Sequence, residues 1–264
     1  MPAGAVGLAL TVALVMVAVL ADHLTPGDPF ASVAPSLAPP SWRHPMGTDD
    51  LGRDLLTGVV HGARTSLVVV LTVSAIATVI GIGVGALAGY RGRITDDALM
   101  RVTEFVQVVP RFFLAVVVIA LFGPGLDRLV VLLGVTSWPW LARVVRAETL
   151  SLRTRPWVDA ARSLGAPTWR ILLRHVLPNV LPAALVVVSL NAASVLLLEA
   201  GLSFLGLGDP HRMSWGYLAS NAQRFLRVAW WMTLFPGLAI ALAVLGLNLL
   251  GDALNDALSP RRRR

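Results

Sequence analysis

The sequence predicts an all-α polytopic membrane protein with six transmembrane helices. Three observations lead there. Hydrophobic residues make up 56% of the 264 positions and charged residues 14%, whereas a soluble domain carries about 25% charge. The apolar residues gather in runs of roughly twenty, the length that crosses the hydrocarbon core of a bilayer. The basic residues sit in the short segments between those runs and at the tail.

Composition also excludes chemistry. There is no Cys, hence no disulfide and no thiolate metal site. All 22 residues in the Lys+Arg count are Arg. Without Lys there is no phosphate-binding loop of the Walker type, no Schiff-base lysine and no kinase-type lysine. If ATP drives this chain, another subunit hydrolyses it. The net charge of +7 invites a nucleic-acid reading. The placement of the Arg residues, between apolar runs, argues against it.

Ala3 to Ala21 is the first predicted span. No basic residue precedes it and no small-residue cleavage site follows, so it reads as a retained helix rather than a removed signal peptide, with the natural start expected upstream. Asp22 to Arg43 is polar and Pro-rich and reads as an extended external segment. From His44, Thr48 or Asp49 is the expected cap of an amphipathic helix carrying Leu51, Leu55, Leu56, Val59, Val60 and Ala63 on one face. His44 with Asp49, Asp50 and Asp54 also admits a metal site, but a cap and a wet face use the carboxylates more simply. Leu67 to Leu87 is the second span, with Gly81, Gly83, Gly85 and Gly89 near its end allowing close helix contact.

Tyr90 to Arg111 reads as a polar turn and an amphipathic entry into the third span, which ends at Phe122. Gly123-Pro124-Gly125 is an external turn. Leu126 to Val145 is the fourth span, interrupted at Ser137-Trp138-Pro139-Trp140; such a break either lines a pathway or is a packing kink. Asn179 to Gly201 is the fifth span, with Asn191 and Glu199 inside it. A carboxyl in a span is a functional candidate, although Glu199 lies close enough to the end for an interfacial position. Gly201 to Gly208 is a Gly-rich external turn around Ser203. An intramembrane serine protease would also need a His in a span, and His23, His44, His61, His175 and His211 all fall outside the predicted ones. Asp209 to Arg227 is polar. Ala229 to Leu250 is the sixth span, opened by Trp230 and Trp231 as an aromatic belt.

Between spans four and five lies the most informative stretch, Trp157 to Pro182. It carries Arg162, Arg170, Arg174 and His175, too polar to cross a membrane. Val158, Ala161 and Leu164 fall at helical spacing, and Gly165 and Pro167 interrupt. One short helix is expected to end near Gly165 and another to start near Pro167, making a knuckle at the membrane surface. An amphipathic interfacial helix with a Pro stop is the simpler reading of the same pattern.

DAARSLG followed by RHVLPN resembles the cytoplasmic coupling loop, the EAA motif, of bacterial ABC-importer permeases. HPMGTDDLGRDLL, GALAGYRG, GLSFLGLG, Ser214-Trp215-Gly216 and NLLGDAL extend the resemblance over nearly the whole chain, to the second permease type of the dipeptide/oligopeptide/nickel branch. The resemblance implies a type I ABC-importer permease fold. It implies ATPase coupling through Asp159, Ala160, Ala161, Arg162, Gly165, Ala166, Leu177 and Pro178. It leaves Glu199, Ser203 and Asn191 as possible pathway or gate residues. The implied partners are a second permease, two ABC ATPases, an extracytoplasmic substrate-binding protein and the lipid bilayer, with no nucleic acid. No cofactor binds this chain directly; ATP and Mg belong to the ATPases. Asp159 stands where Glu is usual and keeps the charge. The Asp209–Arg212 segment looks shortened, Ser259 replaces an expected Asp, and the basic N-terminal segment is missing.

The expected organisation is a transmembrane helix over 1–22, an external segment with its amphipathic helix over 23–65, and a core of five spans over 66–264 with the coupling loop at about 153–178. Six spans put both termini on one side. With the knuckle and tail inside, Arg91, Arg93, Arg101, Arg111, Arg143, Arg146, Arg153, Arg155, Arg162, Arg170, Arg174 and Arg261 to Arg264 face the cytoplasm, fifteen in all. Arg43, Arg53, Arg64, Arg128, Arg212, Arg224 and Arg227, seven, face out. The positive-inside rule therefore places the knuckle and both termini in the cytoplasm of a bacterial inner membrane. Di- or oligopeptides are the expected cargo, with nickel or another small solute as the alternative. A stand-alone secondary transporter is the rival class; it would use intramembrane carboxylates, of which Glu199 is the candidate. A non-transporting membrane scaffold is a further rival.

Overall fold

The computed structural model describes residues 2–258. Ser259 and the Arg261–Arg264 tail lie outside the described residues. The described chain is all helix, with two isolated β-bridges and no strand. Its helices are α1 (Pro2–Val19), α2 (Ala21–Leu24), α3 (Leu55–Arg91), α4 (Arg93–Val108), α5 (Arg111–Phe122), α6 (Leu126–Thr136), α7 (Pro139–Leu152), α8 (Pro156–Ser163), α9 (Thr168–Ile171), α10 (Leu177–Leu202), α11 (Trp215–Ala222) and α12 (Trp230–Leu258).

Four helical stretches are long and apolar enough to cross a membrane: Leu55–Arg91, Leu126–Leu152, Thr168–Leu207 and Trp230–Leu258. A fifth arises if α4 and α5, bent by 74° at Val109-Pro110, count as one broken span. Ala3–Val19 is a shorter apolar helix. It packs antiparallel on α12: a Cβ on Gly4 would lie 2.7 Å from Ala253, and one on Gly246 3.1 Å from Leu10. The described ends of the chain thus share one end of the bundle.

Several expectations change. The membrane-surface helix starting at Thr48 or Asp49 does not form. The cap is Asp54, whose Oδ2 accepts from the Thr57 amide at 2.9 Å, and α3 then runs unbroken for 37 residues. Nothing between Leu55 and Leu67 breaks a helix, so the entry and the span are one rod. Asp49 closes a turn instead, accepting at Oδ1 from the Leu51 and Arg53 amides. Its burial pushes its carboxyl above the usual range, against those two amides. His44 Nδ1 sits 2.8 Å from Asp54 Oδ1, so this carboxylate serves a cap and a His together. Residues 32–38 are not simply extended: they turn at Ser36-Leu37, where Leu37 has φ +53, and are tied to 48–54 by backbone bonds such as Val33 N to Gly52 O and Thr48 N to Ala38 O.

The break at Ser137-Trp138 is a packing junction. Both residues are buried, Trp138 packs with Ala77 and Ala142, and Pro139 occupies a first-turn position where its missing N–H costs little. Gly201–Gly208 is largely helix rather than an external turn, since α10 continues through a π-turn at Ser203–Leu207. His61 and His175 lie inside the long helical stretches, not outside them. Of the two expected belt residues, Trp230 is exposed, whereas Trp231 is buried with its Nε1 donating to the Thr48 carbonyl.

The tightest seam joins α3 to α7. Gly81, Gly85 and Gly89 recur every fourth residue and share one face of α3. A Cβ on Gly81 would lie 3.0 Å from Leu141, and one on Gly89 2.7 Å from both the Arg146 carbonyl and Thr149 Cβ. Gly85 faces the Ala142 carbonyl and Val145 in the same way. Gly83 faces open space. Small residues are the means by which helices approach where the solvent is itself apolar. Beside this seam Asp96 of α4 receives Arg146 Nε and Nη2 at 2.5 and 2.6 Å, a two-pronged pair that fixes α4 against α7.

Candidate functional site

The knuckle folds as its sequence requires. Pro156 starts α8, and the helix ends in a Schellman motif: Gly165 N–H donates to the Arg162 carbonyl and Ala166 N–H to the Ala161 carbonyl. That closure needs a left-handed residue, and Gly165 has φ +77. Pro167 then caps α9. The second arm is not a separate short helix, as expected from the sequence. It is the beginning of the continuous stretch Thr168–Leu207. Pro178, in the first turn of α10, cannot donate to the Arg174 carbonyl, and the chain accommodates this with a π-turn over Leu172–Val176 just before it.

The knuckle is rooted in the bundle. Val158, Ala161, Ile171 and Val176 are buried in one cluster with Ala86 of α3 and Leu141 and Val145 of α7. This cluster ties the knuckle to α3 and α7. The predicted residues divide accordingly. Ala161 is core. Asp159, Ala160, Arg162, Gly165 and Pro178 are exposed, and Ala166 and Leu177 are half-buried. Arg162 Nη1 donates to Asp159 Oδ1 at 3.1 Å, one turn away. Leu164, at the tip, is 88% exposed. Apart from its two chain neighbours, no atom among the described residues comes within 4 Å of a Cβ built on Gly165. The outer face thus sets Ala160, Gly165 and Leu164 beside the Asp159–Arg162 pair, uncovered by the rest of the described chain.

At the opposite end of the bundle, Glu199 is fully buried within the protein. Its Oε1 accepts from Ser203 Oγ at 2.9 Å and Ser214 Oγ at 3.1 Å, while its buried Oε2 has no protein partner. Ser214 Oγ also caps α11 by accepting from the Tyr217 amide. Glu199 therefore joins α10 to α11. Asn191 does not converge with them; it is eight residues back, about 12 Å along the helix. Replacing Glu199 with Ala leaves two buried hydroxyls without their acceptor and should lower stability by about 2 kcal/mol. Gln, which keeps an acceptor oxygen, should lose much less. Thermal unfolding of the purified variants in detergent checks the order, and equal losses would show that the two serine bonds contribute nothing.

The element that sequence reasoning missed is α11. It lies within a stretch that reads as polar, yet Trp215 is fully buried. Its ring edge sits on Gly62, its Nε1 donates to the Val59 carbonyl, and its amide donates to Ser66 Oγ. The signal available was the pair of glycines at Gly58 and Gly62, which face Leu218 and Trp215.

Comparison with known proteins fits this architecture. Residues 81–264 match the family model described as binding-protein-dependent transport system inner membrane component. The chain is 42% identical over 258 residues to a putative peptide transport system permease protein of Brucella suis, covering 97% of this chain and 87% of that one. It is 38% identical to a di/tripeptide transport system permease protein of Pseudomonas aeruginosa, covering 97% and 87%. With a dipeptide transport system permease protein of Bacillus subtilis it shares 37% identity, covering 98% and 82%. Among solved structures, an inward-facing MetNI methionine ABC transporter superposes with a TM-score of 0.64 at 22% identity, covering 78% of this chain and 98% of that one; this likeness concerns the fold. The chain belongs to the family of binding-protein-dependent transport system inner membrane components, the permease subunits of ABC importers.

Proposed function

We propose that this permease carries di- or oligopeptides through half of a translocation path, and that the 153–178 knuckle couples it to an ATPase. A second permease supplies the other half, two ABC ATPases bind and hydrolyse Mg-ATP, and an extracytoplasmic binding protein delivers the cargo. The peptide assignment draws on the reported relatives, which are named for peptide, dipeptide or di/tripeptide transport. In this reading α1, α3, the broken α4–α5 pair, α6–α7, the α9–α10 stretch and α12 make six spans in a bacterial inner membrane. The knuckle and both termini face the cytoplasm, as the Arg distribution favours. The division into a helix over 1–22, an external segment over 23–65 and a core over 66–264 follows.

The observation that carries the coupling role is the two-sidedness of the knuckle. Val158, Ala161, Ile171 and Val176 root it among α3 and α7, while Ala160, Gly165 and Leu164 leave an outer face that the chain itself does not cover. A partner that grips this face and moves can bias two arrangements of the bundle, which is what alternating access requires. Asp159, Arg162, Ala166, Leu177 and Pro178 complete the docking set.

The test is to tag this chain, extract it gently and identify what copurifies. Recovery of a second permease and of ATPases whose hydrolysis rises with dipeptide and binding protein is the expected result. Stimulation by nickel and not by peptide would overturn the cargo. Recovery of the chain alone, under conditions that keep a control importer intact, would favour a stand-alone transporter built around Glu199.

A further inference from the structure

A polar cleft of about 530 Å³ lies between the knuckle and the ends of α3 and α7. Three arginines line it from three separate elements: Arg91 at the end of α3, Arg153 just after α7, and Arg162 of α8. Thr168 and Thr154 also line it, the Thr154 hydroxyl donating to the Ser151 carbonyl. The arrangement is held in place. Arg153 Nη1 donates to the Gly89 carbonyl at 3.3 Å and lies over Gly92, where a Cβ would meet it at 2.6 Å. Gly92 has φ +63 and forms the corner that turns α3 into α4. The Arg162 guanidinium stands 5.7 Å from the centre of the Tyr90 ring. One carboxylate, Asp159, reaches the cleft and pairs with Arg162. Among the described residues no ion pair engages Arg91 or Arg153.

Two guanidinium groups outside any salt bridge, one of them tied over a glycine corner with Asp96 in its neighbourhood, together with the Thr168 hydroxyl form a donor set for a tetrahedral oxyanion. The cleft opens at the ends of the helical stretches Leu55–Arg91 and Leu126–Leu152, and basic residues just past a span attract the anionic surface of a bilayer. Trp157 and Trp169, both exposed on the two arms of the knuckle, are residues suited to that interface. We infer that this cleft binds a phosphate group, that of an anionic phospholipid headgroup, wedged between the knuckle and the span ends. A lipid there would tie the knuckle to α3 and α7 through Arg91 and Arg153. The inference rests on the membrane placement of the chain and not on its cargo or ATPase.

The full chain, delipidated in neutral detergent, would be titrated with phosphatidylglycerol and with phosphatidylcholine, and the bound states read by native mass spectrometry. Phosphatidylglycerol should bind more tightly. Arg91→Gln and Arg153→Gln should each weaken it about fivefold, and the double variant about twenty-five-fold, from roughly 1 kcal/mol per basic residue near a membrane surface. Arg101→Gln removes the same charge from an exposed position on α4 outside the cleft and should change little. Arg91 makes no ion pair among the described residues, so its variant reports on the site even if Arg153→Gln fails to fold. Equal affinity for the two lipids, or an equal loss in Arg91→Gln and Arg101→Gln, would overturn the site. Displacement of phosphatidylglycerol by inorganic phosphate at equal concentration would assign the cleft to a soluble phosphate and overturn the lipid.

Discussion

Gly165→Arg is expected to leave the chain inserted and monodisperse while lowering peptide uptake by the assembled importer at least about tenfold, a loss worth about 1.4 kcal/mol or more of coupling. Two costs are separable here. Any L-residue at φ +77 costs about 1–2 kcal/mol of backbone strain. Gly165→Ala incurs that cost alone and should retain most uptake. A Cβ at Gly165 meets no described atom within 4 Å beyond its chain neighbours, so the Arg side chain starts out into open space. An effect of Arg beyond that of Ala is therefore expected to arise on a partner docked at this face. Uptake of a labelled dipeptide and recovery of the ATPase with the tagged chain measure both. Normal uptake by the Arg variant would remove the coupling role from the knuckle.

Gly89→Leu should be the most damaging change to the fold, costing more than about 3 kcal/mol, because overpacking of a close seam is relieved only by separating the helices. A Cβ there meets backbone, the Arg146 carbonyl at 2.7 Å, as well as Thr149. Backbone cannot rotate away as a side-chain tip can. Separation of α3 from α7 would also strain the Asp96–Arg146 pair and remove the carbonyl that holds Arg153. Gly83→Leu, on the same helix but facing open space, should be tolerated. Size-exclusion profiles and thermal unfolding in detergent give the comparison. Similar behaviour of the two variants would mean that the α3–α7 seam does not hold the bundle.

What the sequence alone determined follows from local physics. Twenty-residue apolar runs have few stable states other than helices in lipid, so the class could be read from composition and run length. The Gly165–Pro167 corner could be read because a left-handed residue and a fixed φ act on their own neighbours, and the corner closed within a residue of its expected position. Gly81, Gly83, Gly85 and Gly89 signalled close helix contact, and the four-residue helical period separates Gly83 from the face that 81, 85 and 89 share.

Tertiary structure decided the rest. Asp54 rather than Thr48 or Asp49 caps α3, because Thr48 is held by Ala38 and Pro35 and Asp49 closes a turn. Glu199 and Ser203 look like the polar end of a span until Ser214, from beyond the following turn, packs against them. Trp215 is core only because Gly62 makes room for it on another helix, 153 positions earlier in the chain. Arg91, Arg153 and Arg162 are three scattered charges in sequence and one cleft in space. Helix and turn preferences act over three or four residues, and a single sequence expresses them fully. Burial, charge pairing and cleft formation depend on which distant surfaces meet, and that is settled only when the helices pack.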